Sequence, residues 1–256
     1  MKNNPIIKNS YKFLAIGLLL YAIIYGMLVE MPYNPIWGQS SRAIFYHVPM
    51  WFAMLVMMGI SVWHSVRLLR ALDPDAETNL NPLYLDIKAK EAARVGVFFN
   101  ILGLLTGIVW SRVTWNENIP GNEFAAWWGW DPIQVCALVS LLIYAAYFLL
   151  RSSFSEDESR AKVSAVYNIF AASTLIPLFF VVPRVLEGLH PTAGKGSFIF
   201  KGGITTEIRL ILYPGLIGFI CLGIWLYNLR HRTGSLSMRI EEILAERSYQ
   251  KNQNNV

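Results

Sequence analysis

Charge is scarce in this chain. Only 15% of its 256 residues are Asp, Glu, Lys or Arg, where a soluble globular domain carries about 25%. That deficit, beside 54% apolar residues and a mean hydropathy of +0.39, excludes a disordered or collagenous chain. Cysteine is scarcer still, with two residues, which excludes a disulfide scaffold. No G-x-x-x-x-G-K-[ST] run is present, so any ATP must be used on another chain. Internal repeats and low-complexity tracts are missing too, which leaves one domain, 1–256.

What the chain does have is long uncharged runs, over 13–29, 43–66, 95–111, 132–150, 163–183 and 210–229. Each is at or near the ~20 residues that carry a helix across a ~30 Å hydrocarbon layer. The expected fold is therefore an all-α integral membrane protein of six transmembrane helices, at about 12–30, 44–67, 93–112, 132–150, 163–184 and 208–229. An aromatic loop fills 113–131 and a charged tail fills 231–256. Lys2, Lys8 and Lys12 before an apolar run resemble a signal peptide. The run is too long for one, and 25–37 offers no A-x-A cleavage site, so an uncleaved first helix is expected. Cys136 and Cys221 fall at depths differing by ~13 Å at 1.5 Å per residue, too far apart for a disulfide.

Lys and Arg set the orientation. With a cytoplasmic N-terminus, 16 of the 22 lie on inner segments and 6 (Arg42, Arg112, Arg184, Lys195, Lys201 and Arg209) on outer ones. This positive-inside split puts both termini in the cytoplasm, in the inner membrane of a cell. It also accounts for the net charge of +5 and pI near 9.2 as a surplus facing the cytoplasm, with no nucleic acid partner implied. The inner connection 71–90, with Asp73-Pro74 and Asn81-Pro82, reads as a surface loop.

The outer segments have a different character. Seven of nine tryptophans (Trp37, Trp51, Trp110, Trp115, Trp127, Trp128 and Trp130) fall at or beyond the outer ends of spans, leaving Trp63 and Trp225 on the inner side. An aromatic belt would serve both interfaces; this distribution is lopsided. If the middle of NEFAAWWGWDP (122–132) is helical, Phe124, Trp127 and Trp128 share a face at i, i+3 and i+4, with Trp130 beside it. Asp131-Pro132 independently reads as N-cap and first residue of the fourth span.

Two of the four histidines flank this loop on the same side: His47 within RAIFYHVP (42–49) and His190 within EGLHPT (187–192). His64 lies ~25 Å below His47 along its helix, and His231 sits in the charged tail, where solvation is expected. A lone interfacial histidine is ordinarily a hydrogen-bonding residue. A pair around an aromatic platform, with cations such as Arg42 and Arg184 nearby, is the set of parts haem needs: a flat apolar surface, axial nitrogen donors and partners for propionates. Zinc is less well served, for want of a third His, Cys or close carboxylate.

FAAWWGWDPIQVCALVSLLIYAAYFLLR (124–151) resembles the tryptophan-rich WWD domain of the CcmC/CcsA family of haem-handling proteins in cytochrome c biogenesis. RAIFYHVP and LHPT resemble that family's two outer histidine motifs, and six spans resemble its shorter CcmC type. The chain departs from the pattern at Phe124-Ala125, where Trp-Gly is common, and at Ile133-Gln134, where longer relatives often carry Lys-Glu.

The resemblance implies that His47 and His190 are axial ligands of a transiently bound haem b. It implies that Trp127, Trp128, Trp130 and Asp131, with Phe124 as the retained aromatic, form the haem-presenting surface. It implies haem transfer without enzymatic chemistry, and it implies as partners a CcmE-type periplasmic haem chaperone and CcmA/CcmB-type ABC transporter subunits. A haem lyase acting directly on apocytochrome c is the alternative; such relatives usually carry extra spans or a large periplasmic domain. A transmembrane haem electron carrier would need histidine pairs at two depths, and His64 has no histidine at its own.

Overall fold

The computed structural model describes residues 5–31, 38–76, 78–116, 127–191 and 204–253, and every regular element among them is helical. Helix α1 (Pro5–Leu20) continues through a π turn (Tyr21–Tyr25) into Gly26–Leu28. A 3-10 turn (Gly38–Ala43) leads into α2 (Ile44–Ala71), followed by α3 (Pro82–Asn116) and α4 (Pro132–Ser152). Helix α5 (Asp157–Ile176) runs through a second π turn (Pro177–Val181) into Val182–Val185, and α6 spans Thr206–Gln253. All six are long and apolar enough to cross a membrane.

The helices alternate in direction, as contacts at each end show. At one end Tyr21 bonds the Leu210 carbonyl, Trp110 bonds that of Ser40, and Asp131 meets Leu189. At the opposite end Arg151 of α4 pairs with Asp86 of α3, Arg230 of α6 bonds Glu91 at 2.6 Å, and His64 of α2 meets Tyr227 of α6 at 3.0 Å. Helices α2 and α3 form the centre, and α1 packs chiefly on α6. The core joins Met54, Met57 and Met58 of α2 to Ala92 and Phe99 of α3, Tyr144 and Tyr147 of α4, and Phe219 of α6.

With lipid outside, apolar contact alone gives helices little reason to associate, so buried polar side chains bridge them. Asn168 of α5 donates to Ser61 and Ser65 of α2, each at 2.8 Å, and Asn100 of α3 donates to Ser140 of α4 at 2.8 Å. Outward-facing Phe13, Leu105, Leu149 and Phe170 are exposed, as lipid-facing positions are. Both cysteines are free thiols.

Two helices outrun their apolar segments. Much of the loop expected over 71–90 is helix, because Asn81 caps the Tyr84 N–H at 3.2 Å, Pro82 opens α3, and the charges of its first turns find partners: Asp86 on Arg151, Glu91 on Arg94 and Arg230. Helix α6 likewise runs from its apolar part into the charged tail without a break.

Candidate functional site

His47 lies in the first turn of α2. Its Nδ1 is 2.9 Å from Thr106 Oγ1 of α3, and its Nε2 accepts the Trp51 indole N–H at 3.2 Å. The indole can only donate, so Nε2 carries the lone pair and the neutral ring holds its proton on Nδ1. Thr106 accepts that proton because its own hydroxyl is directed to the carbonyls of Leu102 and Gly103, at 2.8 and 3.0 Å. Close approach of α2 to α3 depends on two glycines. A Cβ on Gly103 would come within 2.7 Å of the Trp51 ring, and one on Gly107 within 3.0 Å of His47 Cε1. The GLLTG segment at 103–107 is thus a cradle for His47 and Trp51.

His190 follows the end of α5 and is positioned through its backbone. Asp131 Oδ1 accepts the Ile133 N–H at 2.9 Å, the expected N-cap of α4, while Oδ2 accepts the N–H groups of Leu189 at 2.8 Å and His190 at 3.3 Å. Gly188 makes room, since a Cβ there would sit 2.4 Å from that oxygen. The His190 ring stands edge-on to Trp110, 6.2 Å between centroids. Burial pushes its imidazole down to about 4, against an opposing pull from the Asp131 carboxylate, so the ring is neutral at pH 7. His47 and His190 lie within electrostatic range of one another.

Tryptophans gather at the same end. Trp110 contacts Trp115 edge-on at 6.1 Å, Trp128 contacts Trp130 at 6.0 Å, and the Arg112 guanidinium lies 3.7 Å over Trp127. Trp127 and Trp130 are exposed, Trp130 at 81%. The helical face expected of Trp127 and Trp128 does not form, because residues 127–131 are not helical. Pro132 disfavours helical geometry at Asp131, which is extended (φ −64°, ψ 135°), and Gln134 Oε1 accepts the Gly129 N–H at 3.3 Å. Gln134 also donates to Ser111 at 2.7 Å, tying the loop's end to α3. Phe124, Trp37, Lys195 and Lys201 lie outside the described residues.

The expected cations divide. Arg42 is engaged by the Gly26 carbonyl at 2.8 Å and by Gln39 at 2.9 Å, so it braces the end of the first span against the start of α2. Arg184 is exposed and bends back onto the Phe180 carbonyl. At the opposite end His64 is bonded to Tyr227, and His231 is half-buried with its ring 5.1 Å from that of Tyr227, correcting the expectation of a solvated side chain. Sequence reasoning missed Thr106 and its glycines; small residues at i, i+3 and i+4 on one face of a span were the available signal.

Fold and geometry define a class: a helical, multi-pass membrane protein with two neutral imidazoles among tryptophans at one end of its bundle. The pattern of the cytochrome c assembly protein family matches residues 5–190, and the chain belongs to that family. It is 25% identical over 223 residues to heme exporter protein C of Paracoccus denitrificans, covering 87% of this chain and 84% of that protein. To heme exporter protein C of Haemophilus influenzae it is 25% identical over 222 residues, 87% and 82% of the two chains. It is 33% identical to cytochrome c biogenesis protein CcsA of Prochlorococcus marinus MIT 9303 over 106 residues, 41% of this chain and 30% of that one. Six apolar spans and this kinship make it a multi-pass inner-membrane protein.

Proposed function

We propose that the chain binds haem b between His47 and His190 on the outer face of the inner membrane and passes it to a CcmE-type periplasmic chaperone for c-type cytochrome assembly. The observation that carries this reading is the pairing of a His47 ring whose Nε2 lone pair points away from Thr106 with a neutral His190 held by Asp131 at the same end of the bundle. Neutral imidazole nitrogens are the donors haem iron takes axially, and tryptophans offer apolar walls for the macrocycle, so the residues fit the cargo. The names of the relatives, heme exporter protein C and cytochrome c biogenesis protein CcsA, agree with it.

Haem is cargo here, and the iron keeps its own chemistry. The chain's residues bind and orient: His47 and His190 as ligands, with Trp127, Trp128, Trp130 and, in the outer loop, Phe124 as the platform. Arg112 and exposed Arg184 are assigned to the propionates, with Arg42 acting indirectly by bracing the first two spans. The split of 16 inner to 6 outer cations supports the reading with this end outside and both termini in the cytoplasm. ATP-driven CcmA/CcmB-type subunits are the proposed partners, and no bond-making step is assigned to this chain. The reading is tested by the absorption spectrum of the chain purified from haem-replete cells: a six-coordinate, bis-imidazole pattern supports it, and failure to carry or take up haem overturns it.

A further inference from the structure

We infer that Trp51 is a removable cap on His47, its indole N–H holding the Nε2 lone pair until haem displaces it, while Thr106 ensures that this nitrogen is the one uncovered. The inference rests on the proposed haem site and adds to it two positioning residues, neither of which touches the iron.

Every proton in the chain Trp51–His47–Thr106 has one consistent place. The indole donates to Nε2 at 3.2 Å, Nδ1–H donates to Thr106 Oγ1 at 2.9 Å, and the hydroxyl donates to Leu102 O at 2.8 Å. In the other tautomer Nε2–H would face the indole N–H, two donors at 3.2 Å with no acceptor between them. The hydroxyl would also have to leave its carbonyl partners to serve Nδ1. The ring is therefore locked with a lone pair on the nitrogen that Trp51 covers. An axial ligand needs that lone pair, and a nitrogen already accepting an N–H cannot give it to iron.

The cap is also built to lift. Trp51 lies one turn along α2 from His47, so uncovering Nε2 requires rotation of one side chain and no helix movement. Its ring is only half-buried, resting on the bare Gly103 backbone and tilted against Phe179 at 5.2 Å. Phe179 is carried on the π turn Pro177–Val181, where Pro177 interrupts the regular α-helical pattern.

The test uses the full chain in lipid nanodiscs with added haemin. Trp51→Phe keeps a ring in place but loses the N–H. Haem association followed by stopped-flow absorbance should then be about fivefold faster, the factor that corresponds to one net hydrogen bond, with dissociation unchanged. In the haem-free protein, histidine 15N spectra should show His47 as the Nδ1–H tautomer. With the indole N–H removed by Trp51→Phe, adding Thr106→Val should produce a mixture, whereas adding Thr106→Ser should keep the Nδ1–H signal, which a merely structural role for Thr106 would not do. An unchanged or slower Trp51→Phe association in a chain that binds haem, or an Nε2–H tautomer in the haem-free wild type, overturns the cap alone. Absence of haem uptake by the wild type overturns the binding reading and the cap with it.

Discussion

The carboxylate of Asp131 joins the start of α4 to residues 58 and 59 positions further along the chain: one oxygen accepts the Ile133 N–H, and the other accepts the backbone N–H groups of Leu189 and His190. The start of the fourth span and the approach to His190 are thereby one structural unit. A charge-assisted hydrogen bond of this kind contributes about 1.5–3 kcal/mol.

That double duty separates two substitutions. Asp131→Asn keeps a good N-cap but has one acceptor oxygen where the carboxylate has two, so α4 stays formed while the His190 loop loses its anchor. Haem affinity should fall by roughly ten- to a hundredfold, the factor equivalent to about 1.5–3 kcal/mol, with a smaller drop in melting temperature than Asp131→Ala gives. Asp131→Ala should lower both, because losing the cap costs a further ~1 kcal/mol. Haem titration beside a melting curve checks the pair.

Replacement of Trp128 and Trp130 by alanine should lower haem occupancy while leaving insertion in the membrane intact. Each aromatic covered by the macrocycle contributes roughly 1.5–3 kcal/mol. Equal haem content in wild type and double variant would return these side chains to the role of an interfacial belt.

Topology is open to direct test. Reporter fusions after Arg70 and after Gln253 should read cytoplasmic, and fusions at Gly121 and Gly194 should read external, following the cation split. An external C-terminus would place the two histidines on the cytoplasmic side.

The buried Arg151–Asp86 pair supplies a control at the far end of the bundle. Asp86→Ala leaves the Arg151 charge without its partner and should destabilise the protein by about 3–5 kcal/mol, read as a lowered melting temperature. The haem spectrum of the surviving folded protein should be that of the wild type, since neither residue is near His47 or His190.

Six spans were legible in the sequence because uncharged runs of membrane length seldom arise in soluble domains, whose helices need a polar face toward water. The capping role of Asp131 was legible in the Asp-Pro pair. Its second oxygen was not, because Leu189 comes near only when α4 and α5 pack antiparallel. Thr106 was hidden for a similar reason: inside an apolar run a threonine bonding its own helix carbonyls is ordinary, and its role exists only once α2 is laid against α3. The tryptophan loop misled through periodicity. Spacing of i, i+3 and i+4 suggests a helix, but Pro132 holds Asp131 extended and the Gln134–Gly129 bond ties down the non-helical residues before it. His231 looked solvated between Arg230 and Arg232, yet the unbroken α6 turns it onto Tyr227.

The most direct measurement is the haem spectrum of four single histidine variants. His47→Ala and His190→Ala should each convert a six-coordinate spectrum to a five-coordinate or water-ligated one with weaker retention, and added imidazole should partly restore it by filling the vacant position. His64→Ala and His231→Ala, at the opposite end of the spans, should leave the spectrum unchanged. Loss of haem on replacing His64, with His190→Ala indistinguishable from wild type, would contradict the outer-face site and move the ligands to the Tyr227 end of the bundle.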